Sequence, residues 1–242
     1  MKRLAVITSC VDLPYRDIEV FLESLKQVGY SSEVVVFARY RMQMPNYVRL
    51  MLGWDDRDTQ FFAKRWHYYR RVLADYDYVL CADGKDVVFQ QDPSTWMSQN
   101  GLHVTEEHLE IGEEPSNSEW IQMYYNPGVF ESIKREKVLC AGTVWGDSQS
   151  VSKWCDFVVE QGDRMDQAML NAGVYTGSLL ADVQIHHNGN PIWTVGTIGK
   201  GFQYQQIGYK VALPNGDIPP LIHQYNRAYL GIRDVIEKRY RK

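Results

Sequence analysis

The strongest constraint on the fold is the alternation of periodicities at the N-terminus. Leu4-Ala5-Val6-Ile7-Thr8 is a short apolar run with β-branched residues and reads as a strand. Residues 16–29 then place Ile18, Phe21, Leu22, Leu25 and Val28 at helical spacing and meet a stop signal at Gly29. Val34-Val35-Val36-Phe37 is a second buried strand. A β-α-β start of this kind predicts an α/β fold, with a mostly parallel central sheet flanked by helices.

The rest of the chain extends the pattern. Residues 39–57 are polar and Met-rich, carry Pro45 and Gly53, and read as a loop. A long helix is expected from Thr59 to Ala74, and a central strand over Tyr78-Val79-Leu80-Cys81-Ala82 that ends at Asp83. Pro93, Gly101, Gly112 and Pro115 break the middle into short pieces, with a helix over 117–124. Val138 to Ala141 reads as a strand, 148–161 and 164–172 as helices, Asp182 to His187 as a strand, and Tyr229 to Tyr240 as a C-terminal helix. No repeat or linker interrupts residues 1–242, so one Rossmann-like domain is expected.

Composition excludes several classes. The net charge is −4, which argues against a dedicated nucleic-acid binder. No apolar run approaches the ~18 residues of a membrane span. The apolar run after Met1-Lys2-Arg3 is too short for a signal sequence, so a cytoplasmic chain is expected. Cys10, Cys81, Cys140 and Cys155 form no close pair, which excludes a cysteine zinc site and predicts buried, reduced thiols. Sixteen Tyr and seven Trp suit a cleft that stacks flat sugar or base faces while offering O–H and N–H groups.

Three segments carry the chemistry. In Tyr78-Val-Leu-Cys-Ala-Asp83-Gly84-Lys85-Asp86 a strand runs into two carboxylates with a glycine between them. Ligands gather beyond the C-terminal ends of strands in open α/β sheets, and two carboxylates there can share a hard divalent cation. The plain alternative is a solvated turn. Met165-Asp166-Gln167-Ala168-Met169-Leu170-Asn171 is the second segment, and helix capping alone would account for it. In the third, Leu221-Ile222-His223 leads to Arg227, so that His223 offers a metal ligand and Arg227 a phosphate partner. A buried, satisfied histidine is the alternative there.

Taken in order, these segments resemble the GT-A glycosyltransferases, and most closely the glycogenin-like and bacterial lipopolysaccharide galactosyltransferase group, family 8. Arg65-Trp66-His67-Tyr68-Tyr69-Arg70 stands where that group has a Tyr-x-Arg-like element. Cys140-Ala141-Gly142 stands where it has Asn-Ala-Gly. The carboxylate pair is Asp83-x-x-Asp86 rather than D-x-D. The resemblance implies a nucleotide-binding half over about 1–92 and an acceptor-side half over about 93–242. It implies Mn2+, or Mg2+, on Asp83, Asp86 and His223, with Thr8, Ser9, Arg70, Asp83 and Arg227 around the donor. Asp166 and Gln167 would lie at the donor sugar as catalytic residues. The donor would be a nucleotide sugar, UDP-linked before GDP-linked, and the acceptor a glycan or lipid-linked saccharide.

By the same analogy the transfer would retain configuration. An inverting enzyme needs a carboxylate base, for which Asp147 and Asp166 are the candidates. Tyr40 or Trp145 would stack on a ring or belong to the core. The competing readings are a metal-dependent phosphohydrolase or nucleotidyltransferase, and a carbohydrate-binding module without catalysis. His186-His187 would line the acceptor side or simply end a strand. Gly199-Lys200-Gly201 offers a phosphate cradle, though its place late in the chain fits neither a P-loop nor a Rossmann fingerprint. The basic C-terminus, Lys238 to Lys242, offers a contact for an anionic membrane surface or is a solvated helix end.

Overall fold

Side chains alternate across a strand, and the first strands of this chain are apolar on both faces. In the computed structural model, Ala5 and Ile7 of β1 (Leu4–Ser9) pack on one side of the sheet and Val6 on the other. Val35 and Phe37 of β2 (Glu33–Ala38) follow Ile7, while Val34 and Val36 follow Val6. Val79 and Cys81 of β4 (Tyr78–Ala82) again face one core, and Leu80 and Ala82 the other. Strands buried on both faces need helices on both faces, and the connections supply them. The structure describes residues 2–11, 13–54, 61–162, 164–197, 203–227 and 231–241.

The central sheet has seven strands in the order β3-β2-β1-β4-β7-β6-β8, where β3 is Val48–Leu52, β6 Leu102–Glu110, β7 Lys137–Asp147 and β8 Val183–His186. Only β7 runs antiparallel to its neighbours, so the expected α/β fold with a mostly parallel sheet flanked by helices is observed. One core packs α2 (Phe61–Tyr69), α5 (Ser148–Gln161) and α6 (Asp166–Tyr175) through Trp66, Trp154 and Met169. The opposite core packs α1 (Tyr15–Gln27) through Ile18, Phe21 and Leu22. A small second sheet, β5-β12-β9, joins Val87–Phe89, Leu221–His223 and Ile192–Thr194. A hairpin of β10 (Gln205–Ile207) and β11 (Lys210–Ala212) and the helix α7 (Ile232–Tyr240) lie near the C-terminus.

Three expectations change. The loop over 39–57 contains the edge strand β3, whose residues are only half-buried and whose Arg49 reaches Asp75 at 3.0 Å. The irregular middle contains β6, the partner of β7, and a short helix α4 (Pro127–Ile133), while the helix expected over 117–124 is observed as α3 (Pro115–Tyr124). The helix expected to run to Ala74 stops at Tyr69, and a single 3-10 turn covers Leu73–Asp75. Its expected start at Thr59, that of α7 at Tyr229, and Gly199-Lys200-Gly201 lie outside the described residues.

The edge strand β8 is tied to β6 by a histidine pair, His103 Nδ1 to His186 Nε2 at 2.9 Å, stacked beside Trp145. Burial lowers the pKa of both rings below the ordinary value of 6.5, and His103 and His187 lower His186 further. The neutral rings therefore belong to the fold. As pH falls below about 6.5 the unfolded chain takes up protons first, so stability is lost until the folded values are passed. The melting temperature is expected to drop between pH 7 and pH 5, and His186→Gln should flatten that drop. An unchanged pH profile in the variant would exclude the pair as its cause.

Candidate functional site

Strand ends bring the three chemical segments together. β4 delivers Asp83, whose N–H donates to Gly142 O at 2.8 Å, and the turn at Gly84 returns the chain into β5 just after Asp86. β12 runs antiparallel to β5 with His223 opposite Val87, one residue from Asp86. His223 Nε2 thereby stands 3.4 Å from Asp83 Oδ2 and 3.6 Å from Asp86 Oδ1. One ligand atom from each of the three residues lies within 4.8 Å of the others.

The carboxylates are unequally supported. Arg65 of α2 is buried, and its Nη1 is paired with Asp83 Oδ1. This leaves Oδ2 as the oxygen of Asp83 that faces His223. Burial alone would raise the Asp83 carboxyl, but the Arg65 guanidinium and His223 outweigh it and hold it at about 2. Asp86 goes the other way: burial, with the charge of Asp83 added, raises its pKa against the pull of His223 and Arg227. Its Oδ1 is buried and accepts no hydrogen bond among the described residues. On His223 burial opposes a charge, yet the surrounding sulfur and carboxylates raise its pKa well above 6.5. Two half-buried carboxylates and a buried imidazole, with one carboxylate oxygen unpartnered among the described residues, fit a divalent cation. Ligand atoms on a common Mg2+ or Mn2+ stand roughly 3 Å apart, against 3.4 and 3.6 Å from His223 Nε2 to the two carboxylates.

The remaining candidates fall into three groups. Ser9 lines a cavity of about 230 Å3 together with Leu13, Phe62 and the Asp83–Asp86 turn, and its Oγ accepts from Tyr69 OH at 2.9 Å. Thr8 precedes it with a buried hydroxyl that has no partner among the described residues. Arg227 is exposed, with its charge felt at Asp86. These three stand near the cluster.

Arg70 does not. It lies past the last turn of α2, half exposed, and pairs with Asp156 of α5 at 2.6 Å. The arginine brought to the carboxylates is Arg65, because it shares the inward face of α2 with Trp66 and Tyr69.

Asp166 and Gln167 form the third group, and they brace the site from behind. Asp166 Oδ2 accepts from Arg65 Nε at 3.0 Å, Arg65 Nη2 at 2.6 Å and Trp66 Nε1 at 2.9 Å. Gln167 Nε2 donates to Glu107 and Asn117 at 3.3 and 3.2 Å, and its Oε1 accepts from Ala141 N at 3.4 Å. Asn171 accepts from Leu139 N at 2.8 Å and donates to Leu139 O at 3.0 Å. These amides take up backbone groups of β7 beyond Thr143, where its pairing with β4 ends. Gly142 lies against the cluster, its carbonyl accepting from Asp83 N at 2.8 Å.

Other expectations resolve differently. Asp147 caps α5, accepting from Ser150 N at 2.9 Å and Gly101 N at 2.6 Å. Trp145 is core, and Tyr40 is 62% exposed. His186 pairs with His103, and His187 is exposed beside Glu106. Sequence reasoning named Gly142 only within Cys140-Ala141-Gly142 and Arg65 only within Arg65-Trp66-His67-Tyr68-Tyr69-Arg70, and it missed Glu107. Glu107 is a buried carboxylate whose pKa is raised by burial, and its only sequence signal is a charge inside a strand that was not itself recognised. No helix among the described residues is long and apolar enough to cross a membrane. Comparison with known proteins finds no family model that matches the chain and no curated protein whose sequence matches it.

Proposed function

We propose that this chain is a metal-dependent glycosyltransferase that moves a sugar from a nucleotide-diphosphate donor to a saccharide acceptor. The convergence of Asp83 Oδ2, Asp86 Oδ1 and His223 Nε2 beside a cavity at the ends of β1 and β4 carries the reading. Asp83, Asp86 and His223 would hold the ion, and the mixed oxygen and imidazole set suits Mn2+ at least as well as Mg2+. Bound there, the ion would act as a Lewis acid and stabilise the charge that gathers on a leaving nucleoside diphosphate.

The chain's own residues do the rest. Ser9 and Leu13 line the floor where a nucleoside would sit, at the β1 end where open α/β sheets take their ligands. Arg227 adds a cation at the exposed rim, where it meets diphosphate oxygens. Arg65 contributes by holding Asp83 ionised and oriented. Gln167 keeps the Ala141-Gly142 backbone against the cluster, so its part is positioning. With Asp147 capping a helix and Asp166 bound by Arg65 and Trp66, neither serves as a base, which favours retention of configuration.

Thermal shift tests the reading. A nucleoside diphosphate, UDP before GDP, should raise the melting temperature only when Mn2+ is present, as expected for ligands of the native state. Asp86→Ala should remove both the shift and sugar transfer while the chain stays folded. Metal-dependent phosphate release from many nucleotides without sugar transfer would instead make it a phosphohydrolase. Glycan binding with no nucleotide response would make it a binding module.

A further inference from the structure

His223 is the pivot of the proposed site, and its second nitrogen points away from the carboxylates. Nδ1 lies 3.2 Å from Cys140 Sγ on β7 and 3.5 Å from Thr194 Oγ1 on β9. All three side chains are buried. A ring that ligates through Nε2 must carry its hydrogen on Nδ1 and needs something there to receive it. Sulfur and hydroxyl are what this fold puts in that place.

Both partners are themselves held fast. Thr194 pairs with His223 in the β9–β12 ladder, and Asn188 brackets its backbone, accepting from Thr194 N at 2.7 Å and donating to Thr194 O at 3.0 Å. Cys140 sits between Leu139, bracketed by Asn171, and Ala141, held by Gln167. A thiol buried this deeply is inert as a nucleophile, and its polar contacts are the His223 ring and the Glu107 carboxylate.

We infer that Cys140 and Thr194 are positioning residues which fix the His223 ring, Nδ1 inward and Nε2 toward Asp83 and Asp86, and so set the affinity for the cation. The inference rests on the metal reading above.

The test is Mn2+ alone, titrated without nucleotide and followed by loss of the free-ion electron paramagnetic resonance signal, well below the melting temperature. Loss of such outer partners typically costs 10–100-fold in metal affinity. The Cys140→Ala/Thr194→Val variant should therefore bind Mn2+ roughly 10–100-fold more weakly. Cys140→Ala/Thr194→Ser, which restores the hydroxyl, should recover part of the loss. A purely structural role would lower the melting temperature and leave the dissociation constant alone. Should the double variant fail to fold, the nearly isosteric Thr194→Val alone should still weaken Mn2+ several-fold. Wild-type binding matched by Thr194→Val and by the double variant would overturn this inference and spare the metal reading. Absence of Mn2+ binding in the wild type would overturn both.

Discussion

Gly142→Ala is expected to abolish measurable Mn2+ binding while the chain remains folded. A Cβ built on Gly142 would lie 2.6 Å from His223 Nε2 and 2.8 Å from Asp83 Oδ2, well inside van der Waals contact. Something must move, and each neighbour is confined. His223 has Cys140 and Thr194 behind it. Asp83 is held by Arg65 and by its own N–H on Gly142 O. β7 cannot retreat without breaking its pairing of Thr143 with Ala82. The methyl group therefore separates the atoms that would share the ion.

Overpacking of this kind costs about 1–3 kcal/mol of stability. A chain of this size loses about 2–4 °C of melting temperature per kcal/mol, so a fall of roughly 2–12 °C should accompany the loss of metal. Electron paramagnetic resonance titration and a melting curve on one sample separate the two effects. A Gly142→Ala protein that binds Mn2+ like the wild type would show that Asp83 and His223 do not meet on a cation.

Legibility in the sequence followed how locally each element is specified. β1, α1, β2 and β4 carry their own period and stop signals, and α5 begins at Asp147 and ends at Gly162, so both boundaries could be read. β6 reads Leu-His-Val-Thr-Glu-Glu-His-Leu-Glu, and neither period two nor high β-propensity marks it. It is a strand because β7 and β8 pair with it, which is information from elsewhere in the chain. β3 escaped because its five residues, Val48 to Leu52, lie between Pro45 and Gly53 in a segment whose breakers and polar neighbours read as loop.

The site divides in the same way. Asp83, Asp86 and His223 were legible because each follows or precedes an apolar strand run. Choosing between Arg65 and Arg70 needed the phase and end of α2. Residues Trp66 and Tyr69 define the buried face, Arg65 lies on it, and Arg70 falls beyond the last turn. Glu107 was invisible because its strand was.

The largest stability effect should come from Arg65→Met. One buried guanidinium pairs with Asp83, donates twice to Asp166 and once to Ala141 O. Burial works against its charge, yet Asp166 and Asp83 raise its pKa. Methionine fits the stem but removes the guanidinium from both carboxylates and from Ala141 O, leaving Asp166 with Trp66 Nε1. Removing one partner of a buried ion pair costs about 3–5 kcal/mol. The melting temperature should fall by roughly 6–20 °C. Lysine should rescue only in part, since a point charge cannot bridge two carboxylates as a planar fork does.

The pH dependence fixes the cause. The folded Asp83 carboxyl sits at about 2 against an ordinary 3.8, so its pairing contributes stability that is complete above about 4. That contribution is lost as pH falls through 2, where Asp83 protonates in the fold. The gap between wild type and Arg65→Met should therefore be widest near pH 7 and narrow below pH 4, read by chemical denaturation at several pH values. A gap of equal size at pH 3 and pH 7 would assign Arg65 to packing through its stem. The companion variant Asp166→Asn should lose stability with Arg65 still on Asp83, and its Mn2+ affinity should change far less than that of Arg65→Met. Asp166 would then act on the site only by placing Arg65, in contrast to the catalytic part its Asp-Gln motif suggests.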